Sequence, residues 1–69
     1  MHVDTDSLKG KIVAHGLTQE QVAAQMGVDR STFSRKMQNK ALTFSVGEMH
    51  ALCRILGLTA EEAKQIFLA

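Results

Sequence analysis

The sequence predicts an all-α domain, a compact five-helix bundle that contains a helix-turn-helix. Three observations carry this. Apolar residues recur at three- and four-residue spacing, with no sustained alternation of the kind a half-buried strand needs. The chain has no proline, and its residues are 45% hydrophobic but only 4% aromatic, which suits helices better than strands. Each periodic stretch opens on Ser, Thr or Asp, and the first four close on Gly or Asn, the residues that cap helices at their two ends.

The first helix is expected from about Ser7 to His15, capped by Asp6 or Ser7 and ended by Gly16. Leu8 and Ile12, four apart, share its inner face. The second runs from about Thr18 to Met26. Thr18 and Gln21 have the spacing of a capping box, in which side chain and backbone satisfy each other reciprocally. Val22 and Met26 face inward, and small Ala23 lets another helix come close.

Gly27 breaks the chain, Val28 turns back to the core and Asp29 caps the third helix, from about Arg30 to Gln38. Phe33 and Met37 are its buried face. At 100° per residue, Ser31, Arg35 and Gln38 lie on the opposite, wet side, with Ser34 on the flank. Asn39 supplies the left-handed residue that ends this helix, and residues 40–43 form a loop. Phe44 is a staple residue before Ser45, the cap of the fourth helix (45–56), which carries Met49, Leu52, Ile55 and Leu56 inward. Gly57 ends it and Leu58 packs back. Thr59 caps the fifth helix (59–67), whose first turn holds Glu61 and Glu62, favourable to the helix dipole. Ile66, Phe67 and Leu68 finish it as core plus a dimer seam.

At 69 residues the chain makes one domain, spanning 1–69. Such a domain buries only about 60% of its unfolded surface and gains from a partner. Cys53 is the only cysteine, so no disulfide can form within the chain, and a lone thiol fits a reducing compartment. No apolar run approaches the roughly 18 residues of a membrane span, and the start MHVDTDS lacks the apolar stretch of a signal peptide. A cytoplasmic location is the expectation.

Net charge is only +1, but its distribution is uneven. Between positions 30 and 40 stand Arg30, Arg35, Lys36 and Lys40 with no acidic residue. Such a patch on a nearly neutral domain is either a solvated helix face or a footprint for phosphates.

The pair of helices around Gly27 bears on this choice. Two helices joined by a three- or four-residue turn with a glycine form a helix-turn-helix. Locking the second helix by Val22, Met26, Val28 and Phe33 leaves its outer face free to enter a DNA major groove. Arginine can bond guanine N7 and O6 together, and serine can contact several base edges. Arg30, Ser31, Ser34 and Arg35 are therefore the candidate base readers. Gln19, at the positive end of the second helix, is a candidate phosphate contact, as are Thr32, Lys36, Gln38, Asn39 and Lys40.

The stretch LTQEQVAAQMGVDRSTFSRKM resembles the helix-turn-helix core of the Cro/repressor-type family of temperate phages and related bacterial regulators. The resemblance rests on Leu17, Thr18, Gln19, Glu20, Ala23, Gly27, Val28, Arg30, Ser31, Thr32, Ser34 and Arg35. The tail FSVGEMHALCRILGLTAEEAKQIFL is similar to the last two helices of small phage repressors, so the likeness covers about residues 7–68. It implies a lambda-repressor-like domain that binds a palindromic operator as a homodimer, in a bacterial or phage-infected cell. The family's base-reading positions fall on Arg30, Ser31 and Arg35, with Ser34 close by, and its phosphate-clamping glutamine on Gln19. Two residues depart from the pattern. Lys36 stands where the family often has an apolar side chain, so Met37 is expected to take over that packing. Asn39 replaces the usual glycine. With no oligomerisation or cleavage domain attached, the chain reads as a Cro-like regulator or as an isolated N-terminal domain.

Other classes fare worse. His50 and Cys53 are three apart on a helix, but two ligands do not make a zinc site, and His2 and His15 are remote in sequence. No metal or other cofactor is expected, and Cys53 is expected in or near the core. No paired carboxylates, phosphate loop or oriented histidine suggest an enzyme or a small-molecule substrate. The serious competitor is a protein-interaction module of the same fold, such as an antitoxin or anti-repressor.

Overall fold

The computed structural model describes residues 3–38 and 44–68. Among these residues there are five helices and no strand: α1 (Thr5–Ala14), α2 (Gln19–Met26), α3 (Arg30–Gln38), α4 (Val46–Leu56) and α5 (Ala60–Phe67). The expected end of α3 at Asn39 and the loop at 40–43 lie outside the described residues, as does His2.

The helix starts follow the hydroxyl caps. Thr18, Ser45 and Thr59 each accept a bond from the amide three residues on, and the side-chain oxygens of Gln21, Glu48 and Glu62 accept one from the cap's own amide. Two orphan donors are satisfied at each start. The helix ends follow a second device. After α1, α2 and α4 comes a glycine with positive φ and then an aliphatic residue: Gly16–Leu17, Gly27–Val28 and Gly57–Leu58. The amides of Leu17, Val28 and Leu58 reach back five residues, to the carbonyls of Ile12, Ala23 and Cys53, at 2.9–3.1 Å. That bond marks a Schellman ending. It turns each aliphatic side chain back against the core. Residues 18, 29 and 59 then cap the next helix, so each of these connections is only a few residues long.

The first helix starts earlier than the sequence suggested. Its cap is Asp4, not Asp6 or Ser7; Asp4 accepts from the Ser7 amide at 3.1 Å and from the Ser7 hydroxyl at 2.8 Å. The cause is a long-range contact. The Asp4 amide donates to the Ile66 carbonyl at 2.7 Å and Val3 is buried, so the N-terminal segment is pinned against α5. Lys11 and Glu62 add an ion pair between α1 and α5.

The core gathers Val3, Leu8, Ile12, Val22, Ala23, Phe33, Met37, Phe44, Leu52, Leu56, Ile66 and Phe67. Helix α2 packs against both α3 and α4, and α1 against α5. The three phenylalanines form a chain across the domain. Phe33 lies 5.9 Å from Phe44, and Phe44 meets Phe67 edge-on at 6.4 Å. Such geometry is worth about 0.5–1.5 kcal/mol per pair beyond area burial. It holds the back of α3 to the start of α4 and the end of α5. Met26, Met49, Cys53 and Ile55 are half-buried at the edge of this core. Leu68 does not join it; the residue is 55% exposed.

Candidate nucleic-acid interface

The geometry of the α2–α3 pair is set at Gly27, which ends α2 with φ 77° and ψ 24°. A left-handed residue of this kind costs glycine nothing, whereas a Cβ would strain it. Asp29 then starts α3. Its carboxylate Oδ2 accepts from the Ser31 amide at 3.0 Å and from the Ser31 hydroxyl, and its carbonyl accepts from the Phe33 amide at 3.0 Å. The hydrogen bonds from the Ser31 side chain and amide hold the Asp29 carboxyl below its ordinary value.

Phe33 and Met37 are buried at 1% and 2% exposure and clamp α3 from behind. Around the helix, Arg30, Ser31, Arg35 and Gln38 are exposed, while Thr32, Ser34 and Lys36 are half-buried. This is the arrangement a 100° period dictates, and it turns two arginines and a serine outward from the first turns of α3. The Gln38 amide donates to the Ser34 hydroxyl at 3.4 Å, a weak bond on the flank.

A cleft of about 410 Å³ lies where α2 begins and α3 passes it, lined by Thr18, Gln19, Glu20, Arg30 and Ser34. Gln19, half-buried, stands at the first position of α2, where unpaired backbone amides favour an anion. Arg30 reaches Glu20 at 3.5 Å across this cleft. Both side chains are well exposed, so the pair constrains them little.

Of the described sequence-predicted site residues, Lys36 departs most from expectation. Its ammonium lies 2.7 Å from Glu48 Oε1 and 5.6 Å from the centre of the Phe44 ring. Lys36 is therefore not a free charge on the α3 surface. Its head pairs with α4 and lies over an aromatic ring, a more enclosed place than the expected phosphate contact on an open helix face. It also explains how a charged residue fits a position where an apolar one was anticipated: long side chains bury their methylenes and keep only the head polar. Asn39 and Lys40, the other candidate phosphate contacts at this end, lie outside the described residues.

One feature at the site escaped the reading from sequence, the pairing of Arg30 with Glu20. Glu20 sits four residues before Ala24 on α2, and nothing local ties it to Arg30. The Asp29–Ser31 bond, by contrast, was legible as an Asp two residues before a Ser at a helix start.

The model of a family described as a helix-turn-helix domain matches residues 13–66, most of the chain. The chain belongs to the helix-turn-helix domain family. The match takes in α2, Gly27 and α3 together with α4 and most of α5. It supports a DNA-binding regulator as the broad assignment. Neither a curated protein nor a solved structure matches the chain. Among the described residues, no helix of this helix-turn-helix domain is long and apolar enough to cross a membrane.

Proposed function

We propose that the chain is a sequence-specific, double-stranded-DNA-binding transcriptional regulator of the phage-repressor or Cro-like kind. In this reading α3 enters the major groove and a homodimer occupies a palindromic operator in the cytoplasm, without a cofactor and without catalysis. One observation carries it: Phe33 and Met37 clamp α3 from behind while Arg30, Ser31 and Arg35 project from the side away from the core.

Roles follow from chemistry. Arg30 and Arg35 are donor-only groups suited to guanine. Ser31 makes a shorter base contact, and Ser34 lies beside them. Gln19 and the α2 N-terminus seat a phosphate at the cleft, with Thr32, Gln38, Asn39 and Lys40 as further backbone contacts. Two copies would place their reading helices in successive major grooves about 34 Å apart.

A groove of about 560 Å³ between α4 and α5 supports the dimer. Val46, Met49, Cys53, Phe67 and Leu68 line it, and Glu61 and Lys64 supply opposite charges. Val46 and Leu68 are 66% and 55% exposed. A two-fold contact pairs one patch with its own copy, so each acid can meet the other copy's lysine.

The same groove favours the second reading, a protein-interaction module whose main partner is a different protein. Selection of duplexes from a random pool, followed by binding at rising salt, separates the two. The DNA-reading assignment expects a recovered palindrome and an affinity that falls as salt rises, because phosphate contacts release counterions. Absence of duplex binding at low salt, or a flat salt response, would favour the interaction module.

A further inference from the structure

We propose that Asp29 fixes the hydrogen-bond polarity of Ser31, so that this position accepts from an exocyclic base amine, adenine N6 or cytosine N4. The inference rests on the DNA-reading assignment and names what one of its residues recognises.

A serine hydroxyl has one proton and two lone pairs and ordinarily turns to suit its partner. At Ser31 that freedom is removed. Asp29 Oδ2 is held by the Ser31 amide at 3.0 Å and lies within hydrogen-bond reach of the Ser31 oxygen. An ionised carboxylate only accepts, so the hydroxyl proton points to Asp29. The same bonds keep Asp29 ionised at neutral pH. What Ser31 offers outward is two lone pairs, on an exposed residue in the first turn of the reading helix.

In the major groove, adenine N6 and cytosine N4 are the donors, and guanine N7 and O6, adenine N7 and thymine O4 are acceptors. Phosphate oxygens only accept. Ser31 with its proton committed therefore matches the amines and is repelled by the rest, and the nearby Asp29 charge acts in the same direction. Arg30, next in the chain, has the opposite character, with donors only. The two neighbours together present a donor beside an acceptor, which distinguishes amino from keto bases at adjacent positions.

The test is a double-mutant cycle between protein and DNA. Duplexes selected by the parent and by Ser31→Ala identify the base pair that Ser31 reads. At that pair, replacing adenine by purine, or cytosine by 2-pyrimidinone, deletes the amine alone. The parent should lose about three- to tenfold in affinity, the range of a single net hydrogen bond, and Ser31→Ala should lose nothing further. Deleting the ring acceptor with a 7-deazapurine should cost both proteins equally. Asp29→Gly removes the carboxylate and frees the Ser31 proton, and glycine is tolerated at a helix cap. In that variant the amine penalty should shrink while the melting temperature holds close to the parent's.

Coupling of Ser31 to the acceptor deletion, or an amine penalty unchanged in Asp29→Gly, would overturn the polarity assignment. So would a Ser31→Ala variant that selects the parent's sites with the parent's amine penalty. In those cases the parent's own sequence preference would still stand, and the DNA-reading assignment with it. A parent that selects no sequence would remove both.

Discussion

Lys36 Nζ lies 2.7 Å from Glu48 Oε1, the same oxygen that accepts from the Ser45 amide at 2.8 Å. One carboxylate thus closes the capping box of α4 and ties α4 to α3. Partial burial raises the Glu48 pKa, but the Lys36 and Ser45 hydrogen bonds and the Lys36 charge together leave it below the ordinary value.

Lys36→Met should therefore act on stability and not on DNA electrostatics. The methionine fills similar space beside Phe44 while Glu48 loses its lysine partner and keeps the Ser45 amide. Salt titration of duplex binding should show a slope within error of the parent's. A lysine on phosphate would lower that slope by about one. Lys40→Ala, in contrast, is expected to weaken all duplexes alike.

Arg35→Ala is expected to weaken specific duplex binding by about 1–3 kcal/mol and to relax preference at one position of the half-site. Parallel selections with the two proteins measure both effects. Equal binding of specific and random DNA by parent and variant would contradict base reading by Arg35.

Phe44→Ala removes the middle ring of the aromatic chain. Large-to-small changes of buried phenylalanine cost about 3–5 kcal/mol. A domain of this size has roughly 3–10 kcal/mol in total at typical per-residue stability. Thermal unfolding followed by circular dichroism should show most or all of the cooperative transition lost at physiological temperature.

Much of this was readable from the chain, for local reasons. Thr18, Ser45 and Thr59 announce helix starts because a cap needs only its own next three residues. Gly16, Gly27 and Gly57 announce ends because the left-handed turn is a property of one residue. Phe33 and Met37 identify the back of α3, and with it the outward side, by spacing alone. The failures are long-range. Asp4 outcompetes Asp6 and Ser7 because Ile66 holds its amide, and Lys36 turns toward α4 because Glu48 stands twelve residues away. In neither pair do the two members share a helix, so helical spacing does not announce the contact. Leu68 continues the apolar run of α5, yet that helix ends at Phe67 and leaves the next side chain outside.

Gly27→Ala tests the turn. No atom lies within 4 Å of the added Cβ, so its cost is conformational and not steric. A left-handed alanine costs about 1–2 kcal/mol. Gly27→Asn should cost less, because asparagine accepts that conformation. Chemical denaturation of the three proteins gives the order directly.

Acid should loosen the junction of α1 and α5. The Lys11 hydrogen bond, the Thr59 amide and the Lys11 charge lower Glu62 from 4.5 to about 2. A carboxylate depressed in the folded state adds stability above its unfolded pKa, and that stability is lost as pH falls through the folded one. The melting temperature should thus drop between about pH 4.5 and 2. Glu62→Gln can still serve the capping box but not the ion pair, and it should flatten the curve in that window.

The bond from the Asp4 amide to the Ile66 carbonyl, 2.7 Å long, brings the outer segments of the fold side by side. A short linker could join them there without crossing the domain, and new ends could be cut at an exposed connection such as that before Thr59. The order in which the five helices are strung along the polypeptide is then separable from the way they pack. A circularly permuted chain would offer the same reading surface from a different starting point.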